Sequence, residues 1–160
     1  MNESIILSVK NLNVSVKSKG TVSQIIHDLS FDVKRGEILS IVGESGSGKS
    51  MTAKAILRLL PENSSVSGKV IFENKNLLDL NEKIIRKIRG AGIGMIFQEP
   101  MTALNPVLSI GKQMTEALVI NSVCNQTEAN ERAVEMLNRV SITEPKKRMK
   151  QYPHEFSGGM

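Results

Sequence analysis

Eight consecutive residues carry the clearest chemistry in this chain of 160: Gly43, Glu44, Ser45, Gly46, Ser47, Gly48, Lys49 and Ser50. Their glycines, lysine and final hydroxyl match the pattern G-x-x-x-x-G-K-S. Glycines at 43, 46 and 48 leave out the Cβ atoms that would stop successive backbone N–H groups from turning onto one anion. A helix opening at Lys49, with Ser50 and Met51 in its first turn, aims the positive end of its dipole at the same point. Lys49 then supplies a point charge for β- and γ-phosphates, and the Ser50 hydroxyl an oxygen ligand for Mg²⁺. The chemistry that suits this stretch is the holding of a polyphosphate with its metal ion.

Two further stretches offer polar groups. Gln98 follows the apolar run Ile93-Gly94-Met95-Ile96-Phe97 and starts a loop in which Pro100 and Pro106 forbid a regular element. Ligands of open α/β sheets lie beyond the carboxyl ends of the strands. Gln98 in that place either binds a nucleotide's Mg²⁺ or orients water; on spacing alone a solvated loop glutamine is the plainer reading. Near Met160, Ser157-Gly158-Gly159 is open to two readings, a second anion nest and a flexible tail. His154, beside Pro153, reads as a turn residue rather than a base. Lys146, Lys147, Arg148 and Lys150 form the one dense basic cluster, which reads as a solvated helix face in preference to a phosphate or lipid contact.

The elements that must position these groups follow from periodicity. Residues 5–9 and 11–16 read as two strands, and so do 25–26 with 29–33, all ahead of the phosphate loop and with one face wet. The apolar run 38–42 is expected as the core strand that feeds the loop. The helix from Lys49 is expected to run to Leu60, where Pro61 and the polar residues after it end it. Residues 68–72 read as a strand, 81–89 as a short basic helix with Ile84, Ile85 and Ile88 on one face, and 93–97 as a buried strand. Beyond Gln98 the pattern turns helical, over 110–120 and again to Val140 with Thr127 as N-cap. Ala133, Met136, Leu137 and Val140 fall at i, i+3, i+4 and i+7, the spacing of a core stripe.

Composition sets the outer bounds. With 40% hydrophobic and 23% charged residues the chain is globular, and a domain of this length buries about 70% of its unfolded surface. The net charge of +5 would admit nucleic acid, but no tryptophan and one tyrosine leave almost no stacking platform, so no nucleic-acid partner is expected. The single cysteine, Cys124, allows no internal disulfide and fits a reducing compartment. The opening MNESIILS has no basic segment and is not expected to be a signal peptide. No apolar run approaches the roughly 18 residues that span a bilayer.

Taken in order, GESGSGKS at 43–50, MIFQEPMTALNP at 95–106 and HEFSGGM at 154–160 resemble the ATP-binding subunit of ABC transporters. The dipeptide, oligopeptide and nickel importer branch is the most similar, through FQEPMTALNP and through SGGM where SGGQ is commoner. The resemblance covers essentially the whole chain and implies an α/β P-loop NTPase with a RecA-like core. Residues 1–97 would be an antiparallel β-subdomain with the phosphate-loop core. Residues 98–160 would be the glutamine loop and the start of a helical subdomain.

Its cofactors would be ATP and Mg²⁺, with residues 43–51 holding phosphates and metal. Gln98 would join the metal site to a transmembrane partner. Ser157, Gly158 and Gly159 would form the signature loop that closes over ATP bound to a second ATPase subunit. The implied partners are that subunit, in a homo- or heterodimer, transmembrane permease subunits and, indirectly, an extracytoplasmic substrate-binding protein. The implied place is the cytoplasmic face of the cell membrane, with the import substrate never touching this chain. A soluble ABC-type ATPase acting on nucleic acid or ribosomes is the alternative.

Departures from the family's pattern carry expectations too. Val16 is the nearest match to the aromatic that stacks on adenine. No apolar strand ending in Asp-Glu occurs, so the acidic metal partner, the catalytic glutamate and the later switch histidine have no counterpart. The resemblance is to an N-terminal part, expected to turn ATP over hardly at all alone and to leave runs 38–42 and 93–97 with exposed edges.

Overall fold

The computed structural model describes residues 4–98 and 103–157. The chain divides into two compact units, Met1–Arg86 and Lys87–Met160. In the first, β1 (Ile5–Ser18) and β2 (Thr21–Lys34) form a hairpin closed by Lys19 and Gly20. Both turn residues have positive φ, 48° and 84°, the primed geometry whose twist matches paired strands. β1 also pairs with β3 (Ser64–Phe72), and β3 with the short β4 (Lys75–Asn76), in an antiparallel sheet of order β2-β1-β3-β4.

Each pair of short strands expected before the loop is therefore one long strand. Bulges absorb the breaks in alternation: the β1–β2 register shifts between Val9 and Leu12 and again between Leu12 and Val14. Asn11 and Asp28 take left-handed φ of 49° and 43°, which short polar side chains tolerate best. Asn11 Nδ2 donates to Asp28 Oδ1 at 2.6 Å, Asn11 N to Ser30 Oγ at 2.8 Å, and Asp28 N to Asn13 Oδ1 at 3.0 Å. Amides taken out of the ladder thus find side-chain acceptors.

The same unit holds α1 (Lys49–Ile56). Val9, Leu12 and Val14 of β1, Ile26 of β2, Val70 and Phe72 of β3, and Ala55, Leu57, Leu77 and Ile85 form its buried core. Leu12 is fully buried beside the bulge. Leu12→Ala should lower stability by about 3 kcal/mol, transfer plus cavity. Urea unfolding checks this: the midpoint falls while the slope stays constant.

The helix α2 (Glu82–Ile88) starts on Asn81, whose Oδ1 accepts from Ile84 N at 3.0 Å, and it buries Ile85 while Ile84 stays exposed. In the second unit come α3 (Ile110–Ile120), α4 (Gln126–Arg139), the single turn α5 (Pro145–Arg148) and a 3₁₀ turn, Pro153–Glu155. The N-cap of α4 is Asn125, not Thr127: its side chain accepts from Glu128 N at 3.0 Å. The buried stripe of α4 is Ala129, Ala133 and Leu137 at i, i+4 and i+8, joined by Ile142. Met136 and Val140, expected on it, are exposed. Small alanines let α4 pack closely along one narrow line, which leaves the neighbouring positions outside. Among the described residues no helix is long and apolar enough to cross a membrane.

Three helices end in the same way. Arg58, Ser122 and Ser141 adopt left-handed φ of 53°, 55° and 61° just past α1, α3 and α4. After α1, Arg58 N donates to Ala55 O at 3.0 Å and Leu59 N to Lys54 O at 2.8 Å; after α3 and α4, Ser122–Val119, Val123–Leu118, Ser141–Asn138 and Ile142–Leu137 bonds repeat the pattern. This is the Schellman motif without its usual glycine. It stops α1 at Ile56, ahead of the Pro61 boundary.

Two expected core strands are not strands. Residues 38–42 and 94–97 have no regular structure, and Ile93 makes only an isolated bridge to Arg89. Ile38, Val42 and Ile96 are 93%, 89% and 96% exposed. A strand buried on both faces draws its stability from neighbours on either side, and no described segment pairs with these runs. Exposed apolar backbone of this kind associates. The isolated chain should scatter light increasingly with concentration, and the Ile38→Lys, Ile96→Lys double variant should suppress that; a soluble, cooperatively melting wild-type monomer would contradict it.

Candidate functional site

The phosphate-loop sequence lies in the first unit, between the run 38–42 and α1. Residues 44–47 form a turn closed by Ser47 N donating to Glu44 O at 3.2 Å. Gly46 and Gly48 take φ of +83° and +92°, where an L side chain is strained. Gly48 is buried as the N-cap of α1, and a Cβ there would meet Ile25 O of β2 at 3.3 Å and Ile26 Cγ1 at 3.4 Å. At Gly43 an added Cβ would fall 2.6 Å from Ser47 Oγ. The glycines thus let the loop close on itself and dock against β2.

Lys49 folds back over this loop. Its Nζ donates to Gly43 O at 2.7 Å, Glu44 O at 2.6 Å and, more weakly, Ser47 Oγ at 3.4 Å. All three acceptors are uncharged, so none of these contacts is an ion pair. No side chain caps α1 and no acid stands in its first turn. Among the described residues the amides of Lys49, Ser50 and Met51 meet no acceptor.

The N-terminus of α3 is built oppositely. Ile110 N donates to Gln151 O and Gly111 N to Met149 O, each at 2.8 Å, while Lys112 N reaches the N-cap Ser109 Oγ at 3.4 Å. Its amides are satisfied by the chain itself. The bare end of α1, with a lysine ammonium above it, is where an anion gains both dipole and charge. Ser50, exposed in the first turn, offers a hard oxygen donor suited to Mg²⁺ sharing phosphate oxygens and water. Among the described residues no group of three or more His, Cys, Asp or Glu side chains gathers.

The other expected site residues belong to the second unit. Gln98 is an exposed bend residue and Ser157 an exposed one just past the 3₁₀ turn; Gly158 and Gly159 lie outside the described residues. Spacing gave no hint of two residues that organise this unit. Gln113, on α3, accepts from Asn105 N at 2.8 Å and donates to Asn105 O and Leu108 O at 2.9 Å, pinning the loop downstream of Gln98. Arg148 hydrogen-bonds Thr143 O and Gln151 Oε1 and lies over the ring of Phe156, the residue before Ser157. His154 sits in the turn, stacked on Tyr152 with ring centroids 5.8 Å apart.

The family profile for ABC transporters matches residues 26–160. The chain belongs to the ABC transporter family. Within it, the chain is 48% identical over 157 residues to the dipeptide transport ATP-binding protein DppD of Bacillus subtilis, covering 97% of this chain and 47% of that protein. It is 45% identical over 155 residues to the oligopeptide transport ATP-binding protein OppD of Escherichia coli, covering 97% and 46%. The chain thus spans about half the length of the curated ABC relatives it matches.

Among solved ABC structures, the dimeric ATP-binding cassette MJ0796, described in a post-hydrolysis state bound to ADP and Pi, superposes with a TM-score of 0.80. That match has 28% identity, over 96% of this chain and 64% of that one. The cbiO1 protein of Clostridium perfringens, part of the ABC transporter complex cbiONQ, matches with a TM-score of 0.67, 28% identity, and 98% and 57% coverage. The fold is that of the ABC ATPase, an α/β P-loop NTPase with an antiparallel β-subdomain.

Proposed function

We propose that this chain supplies the phosphate-holding part of an ATP-hydrolysing subunit that energises the import of peptides across the cell membrane. The observation that carries the reading is the bare N-terminus of α1 under the Lys49 ammonium. Amides of residues 43–51 would bind the phosphates, with Lys49 moving its three donors from loop carbonyls to phosphate oxygens. Ser50 would hold Mg²⁺ together with those oxygens, and Gln98 would reach the same ion. When bound, Mg²⁺ offsets charge on the phosphate chain. Ser157, Gly158 and Gly159 would serve ATP held by a second ATPase subunit.

Permease subunits, reached through the loop after Gln98, and an extracytoplasmic binding protein would complete the importer on the cytoplasmic face of the membrane. The peptide assignment rests on the names of the curated relatives, which cover twice the length of this chain. The test is ATP hydrolysis by the complete subunit assembled with its permeases in vesicles. Peptide-loaded binding protein should raise the rate several-fold. Hydrolysis indifferent to peptide would remove the import substrate from this reading, and no hydrolysis would remove the ATPase itself. The 160-residue chain alone should hydrolyse ATP at background rate.

A further inference from the structure

We propose that Arg148 is a positioning residue for the Ser157 loop, one that fixes the segment leading into it and so governs how that loop meets nucleotide on the opposite subunit. The inference rests on the reading of Ser157 given above.

Four basic residues stand together at 146–150, and spacing makes them one solvated face. The structure separates them. Lys146, Lys147 and Lys150 are exposed, and Lys147 pairs with Glu144 at 3.3 Å on the surface. Arg148 is half-buried and turned along its own chain. Its Nε donates to Thr143 O at 3.4 Å, ahead of α5, and its Nη1 to Gln151 Oε1 at 2.8 Å, beyond it. The guanidinium carbon lies 5.7 Å from the centroid of the Phe156 ring. Phe156 is the residue immediately before Ser157.

The segment between these anchors is closed on both sides. Met149 O and Gln151 O cap the first two amides of α3, and Gly111 leaves no room to spare: a Cβ there would fall 2.6 Å from Met149 O. Tyr152 N donates to Glu155 Oε2 at 2.8 Å and Phe156 N to Pro153 O at 3.1 Å, so the 3₁₀ turn is capped at each end. What these backbone bonds leave undetermined is the side chain of Phe156, and the Arg148 guanidinium lies over its ring. A planar guanidinium can stack on a ring and hydrogen-bond at its edge together; an ammonium cannot.

The experiment uses the complete subunit, assembled with its partners, in four forms: wild type, Arg148→Met, Arg148→Lys and Ser157→Ala. Arg148→Met keeps the length of the stem and removes the guanidinium plane. We expect its turnover to fall tenfold or more, while nucleotide affinity of the isolated subunit, set by the Lys49 loop, stays within twofold of wild type. Arg148→Lys should recover only part of the rate, and it supplies the reading if Arg148→Met does not fold. Wild-type turnover in both Arg148 variants, with Ser157→Ala inactive, overturns the proposal and leaves the Ser157 reading standing. Turnover untouched in Ser157→Ala overturns both. A parallel loss of affinity, turnover and melting temperature would show a general structural role and also overturn it.

Discussion

Lys49→Ala should weaken Mg-ATP binding about 30- to 150-fold. The lysine would contribute a charge-assisted hydrogen bond to phosphate, worth about 2–3 kcal/mol net in such a setting. In the structure its Nζ is already desolvated on one side by Gly43 O and Glu44 O, at 2.7 and 2.6 Å, with no carboxylate paired to it among the described residues. Exchange of neutral carbonyls for anionic oxygens is favourable for that ammonium. Stability should barely change, because the loop residues 43–47 are exposed and their carbonyls turn to water once the lysine is gone. Lys49→Arg should not restore binding, since a planar fork cannot replace a compact ammonium inside a loop this tight. Calorimetric titration with Mg-ATP is the measurement. Equal affinity in wild type and Lys49→Ala would remove the cradle assignment. Wild type that does not bind at all would place nucleotide binding in the complete subunit only.

Gly68→Ala should be the most destabilising single methyl in the first unit, with a loss of about 3–4 kcal/mol or more, enough to unfold a domain of ordinary stability. Gly68 has φ of +105°, and an added Cβ would lie 2.4 Å from Asn11 O and 2.7 Å from both Asn11 C and Lys10 O. All three are backbone atoms, so no side chain can swing away. Nor can the backbone retreat: Asn11 is itself held left-handed in the bulge by Asp28 and Ser30. Gly20→Ala is the control. Gly20 has a similarly positive φ of +84° but nothing within 4 Å of the added methyl, so it should lose only about 1–2 kcal/mol from backbone strain. Comparing the two by urea unfolding separates conformational strain from steric overlap. Equal losses would mean that the bulge opposite Gly68 yields.

Much of the candidate site could be read from the sequence because its groups lie close together in the chain. The phosphate loop needs glycine, lysine and a hydroxyl at set intervals within eight residues, and all the groups that Lys49 touches lie within six positions of it. The helix 110–120 is likewise bounded by its own cap and periodicity, and its observed limits are those the pattern predicts. Antiparallel strands ahead of the loop were visible in their alternation, and the family resemblance followed from the order of three motifs.

Tertiary structure decided whatever depends on a partner distant in the chain. Two pairs of short strands became two long ones because Asn11, Asp28 and Gly68, far apart in sequence, meet in one bulge that keeps the ladder going across a break in the pattern. One miss was local instead: α1 ended at Ile56 and not Leu60 because Arg58, with no glycine to announce it, takes a left-handed φ and the Arg58–Ala55 and Leu59–Lys54 bonds cap the last carbonyls. Met136 and Val140 share the spacing of a core stripe, yet burial went to Ala129, Ala133 and Leu137, since side-chain period says which residues share a face and not how wide a strip is covered. The run 38–42 has the composition of a core strand and is not one, because a strand is a relation between two segments. Arg148 is singled out over a shorter range: four basic residues look alike in sequence, and only the folded positions of its near neighbours Thr143, Gln151 and Phe156 distinguish one of them.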